Sequence, residues 1–139
     1  MAESSGALRV EVVSPEKVLF SGDATQVITR TIEGGEIAFL PGHAAFLGAL
    51  TQNHTRIYLA DGSIQNLAVH LGFVEVGPDH VTILSDAAEL EEDIDVARAR
   101  AAKARAEEKM RTEHSAEVEG DLRRAHARLA ATGGIEASH

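Results

Sequence analysis

The chain has 139 residues, enough for one domain with a short appendage. Thirteen Lys and Arg face 22 Asp and Glu, a formal charge of −9 with no basic block, which excludes a nucleic-acid binder that works by counterion release. A hydrophobic fraction of 44% supports a core and excludes a chain that is disordered throughout, while the absence of cysteine excludes disulfides and thiolate sites and suits a reducing compartment.

From the N-terminus, Met1–Gly6 has neither the basic start nor the apolar centre of a signal peptide, and no apolar run reaches membrane-spanning length. Leu8–Val12 alternates apolar and polar residues, the period of a half-buried strand. Val18–Phe20 follows as a short run stopped by Ser21-Gly22, and β-branched Gln26–Thr31 ends at Gly34-Gly35. Glu36–Leu40 ends at Pro41-Gly42, and Ala44–Leu50 and Thr55–Leu59 come next. Asp61-Gly62 between apolar flanks is a hairpin signal leading into Ser63–Val69. Phe73–Val76 and His80–Leu84 flank the turn Gly77-Pro78-Asp79. About nine short strands with closely spaced turn signals predict a β-sandwich or barrel.

The composition then changes. Residues 1–88 hold four basic and 10 acidic side chains, and residues 89–139 hold nine and 12 in a much shorter stretch. From Ile94 to Ala131 the chain is mostly Ala, Arg, Lys, Glu and Leu with one Gly and no Pro, a helical composition. We divide the chain into a β domain over 1–88 and a helical part over 89–139 that ends in a short disordered tail. Asp93 is placed to cap the first helix, Ser115 the second, and Gly133-Gly134 stops it, giving an antiparallel helical hairpin. Leu122, Ala125 and Leu129 share one face, opposed by small residues such as Ala97, Ala101 and Ala104. With so few large apolar side chains, each worth about 1.5–3 kcal/mol when buried, the hairpin is expected to be mobile.

Several strings carry a resemblance. Val13–Gly22, the loop Gly35-Glu36-Ile37-Ala38-Phe39-Leu40-Pro41-Gly42-His43-Ala44, Gly72–Val76, Val81–Glu89 and Ile94-Asp95-Val96-Ala97-Arg98-Ala99 occur in order. Together they resemble the epsilon subunit of the rotary F-type ATP synthase over residues 8–131. Ala38, and His70-Leu71 before Gly72, stand where that family commonly has glycine; Ala38 is expected to tighten a turn. The resemblance implies a sandwich of about ten strands followed by the hairpin, with no catalytic activity of its own. It also implies a place in the central rotor stalk against the gamma subunit and the c-ring, peripheral to the cytoplasmic face of the bacterial plasma membrane. There the subunit would couple rotation and restrain ATP hydrolysis, touching the alpha and beta subunits when the hairpin extends.

Two candidate sites follow. Pro41-Gly42 reads first as a tight turn beside a surface histidine; the resemblance adds Glu36, Pro41, Gly42 and His43 as contacts to the c-ring. On the first helix, Arg98 and Arg105 lie two turns apart on one face, about 10 Å along the axis, a span that suits a polyphosphate. Arg124 and Arg128 share a face of the second helix and can close over such a ligand, although the same arginines also suit ordinary helical ion pairs with neighbours such as Asp95 and Asp121. The resemblance implies no required cofactor but ATP as a regulatory ligand, on Glu89, Ile94, Asp95, Arg98, Ala99, Arg105 and Arg128; Thr132 departs from that pattern. The seven histidines show no metal-ligand spacing, and no phosphate-binding glycine loop is present. The competing readings are a free ATP-sensing module and a sandwich enzyme or carbohydrate binder, which scattered aromatics disfavour.

Overall fold

The computed structural model describes residues 7–133. Nine strands come first among them: β1 (Leu8–Val13), β2 (Val18–Thr31), β3 (Gly35–Phe39), β4 (Phe46–Leu50), β5 (Asn53–Leu59), β6 (Ile64–Val69), β7 (Gly72–Val76), β8 (His80–Leu84) and β9 (Ala88–Leu90). A single 3-10 turn, Glu91–Asp93, leads to helices α1 (Val96–Met110) and α2 (Ala116–Ala131). This is the expected β-sandwich followed by an antiparallel helical hairpin.

The strands run in the order β1-β8-β7-β4-β2-β5-β6-β9, with β3 also paired to β2 and β1 closing back onto β2. Pairing is antiparallel except between β1 and β8. The alternation read in the first strand is real: Leu8, Val10 and Val12 are fully buried and the residues between them are not. They meet Val27, Phe39, Ile57 and Ile83 in one core.

The structure departs from the sequence reading at three places in the sandwich. Ser21-Gly22 does not stop a strand; Gly22 pairs with Val10 and the chain continues as one strand of 14 residues. Its first half pairs with β1, its second with β3 and β5, and the change of partner comes at an irregularity between Ala24 and Gln26. Ala88–Leu90, assigned by composition to no strand, adds to the edge of β6. Ala38 tightens no turn; it lies within β3 opposite Ile28.

The bend after β6 takes backbone conformations that favour glycine. Leu71 takes φ +69, in the left-handed region that costs a side chain strain. Gly72 has φ +142, and a Cβ there would collide with the Leu84 carbonyl oxygen.

In the hairpin, Asp95 rather than Asp93 caps α1, its carboxylate accepting the Arg98 backbone N–H at 3.0 Å. Asp93 is spent in the preceding 3-10 turn. Ser115 caps α2 as expected, accepting the Val118 N–H at 3.2 Å. Gly133, at φ +78, follows α2; Gly134 and the proposed tail lie outside the described residues, as does Met1–Gly6. The face of α1 that packs on α2 carries Ala99 and Ala106, while Ala97, Ala101 and Ala104 are exposed. On α2, Val118, Ala125 and Leu129 are buried. The other side of α2 lies on β5 and β6, where Ala127 and Ala131 pack on Ala68 together with Ile94.

Candidate functional site

The loop after β3 is held from within. Gly42, at φ +90, donates its N–H to the Pro78 carbonyl at 2.7 Å, and the His43 N–H reaches the Leu40 carbonyl at 3.2 Å. The His43 ring sits edge-on to Phe39, 5.0 Å between centroids, and its Nδ1 lies 2.7 Å from the Ala44 carbonyl oxygen. Those contacts orient His43 without any partner. Glu36, on β3, accepts Arg56 Nη2 at 2.7 Å and remains about half exposed. Pro41 is half-buried, while Leu40 projects into solvent from the same loop.

The residues expected around a nucleotide fall into two groups. Ile94, Asp95 and Ala99 each have a structural task in the docked hairpin: Ile94 packs on the alanine cluster, Asp95 caps α1, and Ala99 is buried between the helices. Arg98 and Arg105 are exposed on α1. Among the described residues the ion pairs of α1 and its C-cap are Lys103 with Glu107 and Arg111 with Glu108, so neither Arg98 nor Arg105 is engaged. Arg124 is tied to Asp121 one turn earlier. A groove of about 200 Å³ between the helices is lined by Arg100, Lys103, Ala104, Glu107 and Leu129, none of them in the expected set.

Glu89 and Arg128 do come together, with a third residue the sequence reading treats only as a departure. Glu89 Oε1 accepts Arg128 Nε at 2.6 Å and lies 2.9 Å from His70 Nε2. Glu89 belongs to β9, His70 follows β6, and Arg128 comes from α2, so this carboxylate joins the sandwich to the hairpin. The His70 hydrogen bond, then the hydrogen bond and charge of Arg128, hold the Glu89 carboxyl at about 2, well below its ordinary 4.5. It is therefore ionised at neutral pH.

A further surface escaped the sequence reading. On the outer face of β4, β7, β8 and β1, Leu47 is 71% exposed, Phe73 55%, Leu84 46% and Val18, where β2 begins, 57%. The registers Phe73–Leu84, Val13–Leu84 and Val13–Val18 bring Phe73, Leu84 and Val18 into one apolar band, and Leu47 lies diagonal to Phe73, directly opposite Glu75. The available signal was a few outward positions, Leu47, Phe73 and Leu84, that are apolar where the alternation calls for polar residues such as the neighbouring Glu75 and Thr82. Among the described residues no His, Asp or Glu cluster can hold a metal ion, and no helix is long and apolar enough to cross a membrane.

Comparison with known proteins covers both halves. The family model of the ATP synthase delta/epsilon chain β-sandwich domain matches residues 7–91, and that of the long α-helix domain matches residues 92–133. The ATP synthase epsilon chain of Halalkalibacterium halodurans is 45% identical over 132 residues, 91% of this chain and 97% of that one. That of Alkalihalophilus pseudofirmus is 48% identical over 103 residues, 74% and 76% of the two chains. Among solved structures, a chain of the Euglena gracilis mitochondrial ATP synthase (OSCP/F1/c-ring, rotational state 1) superposes with a TM-score of 0.71 at 19% identity, covering 99% of this chain and 84% of its own. At that identity the likeness speaks to the fold. The family models and the bacterial relatives go further: the chain belongs to the ATP synthase delta/epsilon family, as one of its non-catalytic epsilon chains.

Proposed function

We propose that this chain is a rotor subunit of a proton-translocating ATP synthase, coupling c-ring rotation to a gamma subunit at the cytoplasmic face of the bacterial plasma membrane. The observation that carries this reading is the apolar band on the outer face of the β4-β7-β8-β1 layer. Four large apolar side chains exposed on one layer suit a protein partner, and burying them offsets the cost of leaving them in water. We assign this band to the gamma subunit, and Glu36 with the Pro41-Gly42-His43 loop to the polar loops of the c-ring.

The hairpin is assigned the regulatory part. Among the described residues it is held to the sandwich by alanines with Ile94 and by the Glu89–Arg128 junction, a contact that can open without unfolding the β domain. In the extended state it would reach the alpha and beta subunits and restrain hydrolysis. ATP would bind the docked state, the exposed cations Arg98 and Arg105 taking phosphate oxygens, and would stabilise only that state. Arg128 would join them if a phosphate replaced Glu89 as its partner. A stand-alone ATP sensor remains the second reading, favoured by the same exposed arginines.

Co-purification with purified gamma subunit and c-ring separates the two. Wild type is expected to form the complex, and Phe73→Glu with Leu84→Glu to weaken it at least tenfold while leaving the fold intact by circular dichroism. Undiminished binding by the double variant would remove the assignment of the band, and no complex with wild type would remove the rotor reading.

A further inference from the structure

The outer face of β5 and β6, on which α2 lies, contains a half-buried histidine that the rotor reading does not use. His54 stands directly opposite Ala68 in the β5–β6 register, and Ala68 is fully buried beneath Ala127 and Ala131 of α2. A chain of hydrogen bonds fixes its tautomer. Glu91 Oε1 can only accept, so Asn66 turns its Nδ2 towards it at 3.1 Å. That leaves Asn66 Oδ1 facing His54 Nε2 at 2.6 Å, and Nε2 must carry the proton. The bare nitrogen is therefore Nδ1, which is buried and has no hydrogen-bond partner among the described residues. A second proton would have to enter at that atom, with no acceptor among the described residues to receive its N–H and no surface open to solvent.

The surrounding charges do not remove this cost. Arg56, next but one on β5, opposes a positive His54, while Glu91 after β9 and Glu36 on β3 favour one. Glu36 is already bound by Arg56 and Glu91 by Asn66. On α2, Arg128 is held by Glu89, which also faces His70, and Arg124 by Asp121. Burial is the largest influence and holds His54 below its ordinary 6.5.

We propose that His54 is a proton sensor for the hairpin: Nδ1 accepts its second proton only when α2 lifts off the sandwich, so acidification releases the hairpin. The inference rests on the reading of a hairpin that can leave the sandwich, and adds the signal that moves it. The sign follows from the tautomer. Above the ordinary histidine value both states carry a neutral His54 and docking is unaffected; as the pH falls through about 6.5 the open state gains a proton that the docked state refuses.

The chain has no cysteine, so a donor and an acceptor dye can be placed at Glu75→Cys on the sandwich and His114→Cys at the tip of the hairpin. Energy transfer in the full chain is then followed from pH 8 to 5.5. The ratio of open to docked protein is expected to rise about tenfold per pH unit below 6.5, one proton per opening. His54→Gln keeps a donor for Asn66 and is expected to flatten the profile, whereas His70→Gln is expected to keep the slope. An Ala131→Glu variant, which buries a charge under α2, supplies the open signal at pH 8. If wild type stays docked at pH 5.5 while Ala131→Glu opens, or if His54→Gln opens on acidification like wild type, the sensor is overturned. If Ala131→Glu also stays docked, the mobile hairpin itself falls, and the sensor with it. Should His54→Gln fail to fold, the imidazole resonances of His54 in wild type report the same coupling. Protonation and opening are expected to share one midpoint, and a His54 that titrates inside the docked state refutes the proposal.

Discussion

Arg98 is the residue on which the nucleotide reading turns. It is exposed on α1, its backbone N–H is spent on the Asp95 cap, and its guanidinium is free of ion pairs among the described residues. Ile94, Asp95 and Ala99, by contrast, would be needed in this fold with or without a ligand, because each completes packing or capping. Calorimetric titration of the full chain with ATP therefore discriminates best at Arg98. Arg98→Ala is expected to leave the helix intact, since the cap uses only its backbone, and to lose at least tenfold in affinity, about 1.4 kcal/mol or more. Equal affinity in wild type and variant would return the Ile94–Ala99 string to a purely structural role.

At the scale of elements, the hairpin and the sandwich are held by different means. The strands share one continuous core of Val, Ile, Leu and Phe, whereas the docked face of α2 offers Ala127 and Ala131 and relies on Ser115 to start the helix. Amide exchange is expected to be faster in α1 and α2 than in β1, β5 and β8. Ser115→Ala should speed it further in α2 by removing a cap worth about 0.5–2 kcal/mol. Exchange as slow in the helices as in the strands would show that the hairpin is not a separate unit. The same contrast explains what the sequence discloses. Alternation and turn chemistry are local, so β1, the Asp61-Gly62 hairpin and the Ser115 cap can be read residue by residue. The 14-residue course of β2 cannot, because Ser21-Gly22 reads as a stop until Val10 is known to lie opposite Gly22. β9 escapes for a related reason: Ala88-Glu89-Leu90 has no β-branched residue, and becomes a strand only by meeting the edge of β6. Asp93 and Asp95 are chemically equivalent as caps, and the 3-10 turn decides between them.

For the whole molecule, the decisive geometry is the junction between its two halves, which no local pattern announces. His70 and Glu89 are far apart in sequence from Arg128, and the role of His54 exists only because α2 covers that side of the sandwich. The junction should show two acid windows. His54 weakens docking below about 6.5, where the open state alone takes up a proton. Glu89 acts lower. Its carboxyl is held at about 2 against an ordinary 4.5, so its stabilising effect is complete above 4.5 and is lost as the pH falls towards 2. Thermal unfolding followed across pH 8 to 2.5 is expected to show both losses. Glu89→Gln should weaken the dependence below 4.5, leaving the share of Asp61, which its hydrogen bonds from Ser63 also hold below the usual range, and should keep the upper one; an unchanged lower limb would remove Glu89 from the junction.

The double allegiance of β2 has a mechanical consequence. One unbroken strand is laced to β1 along its first half and to β3 and β5 along its second. A twisting load entering through the loop after β3 reaches β1 through backbone ladders alone, with no flexible connector in between. Sliding one layer over the other would shear many of those bonds together rather than peel them singly. On the rotor reading proposed above, this lacing makes the sandwich the stiff part of the coupling.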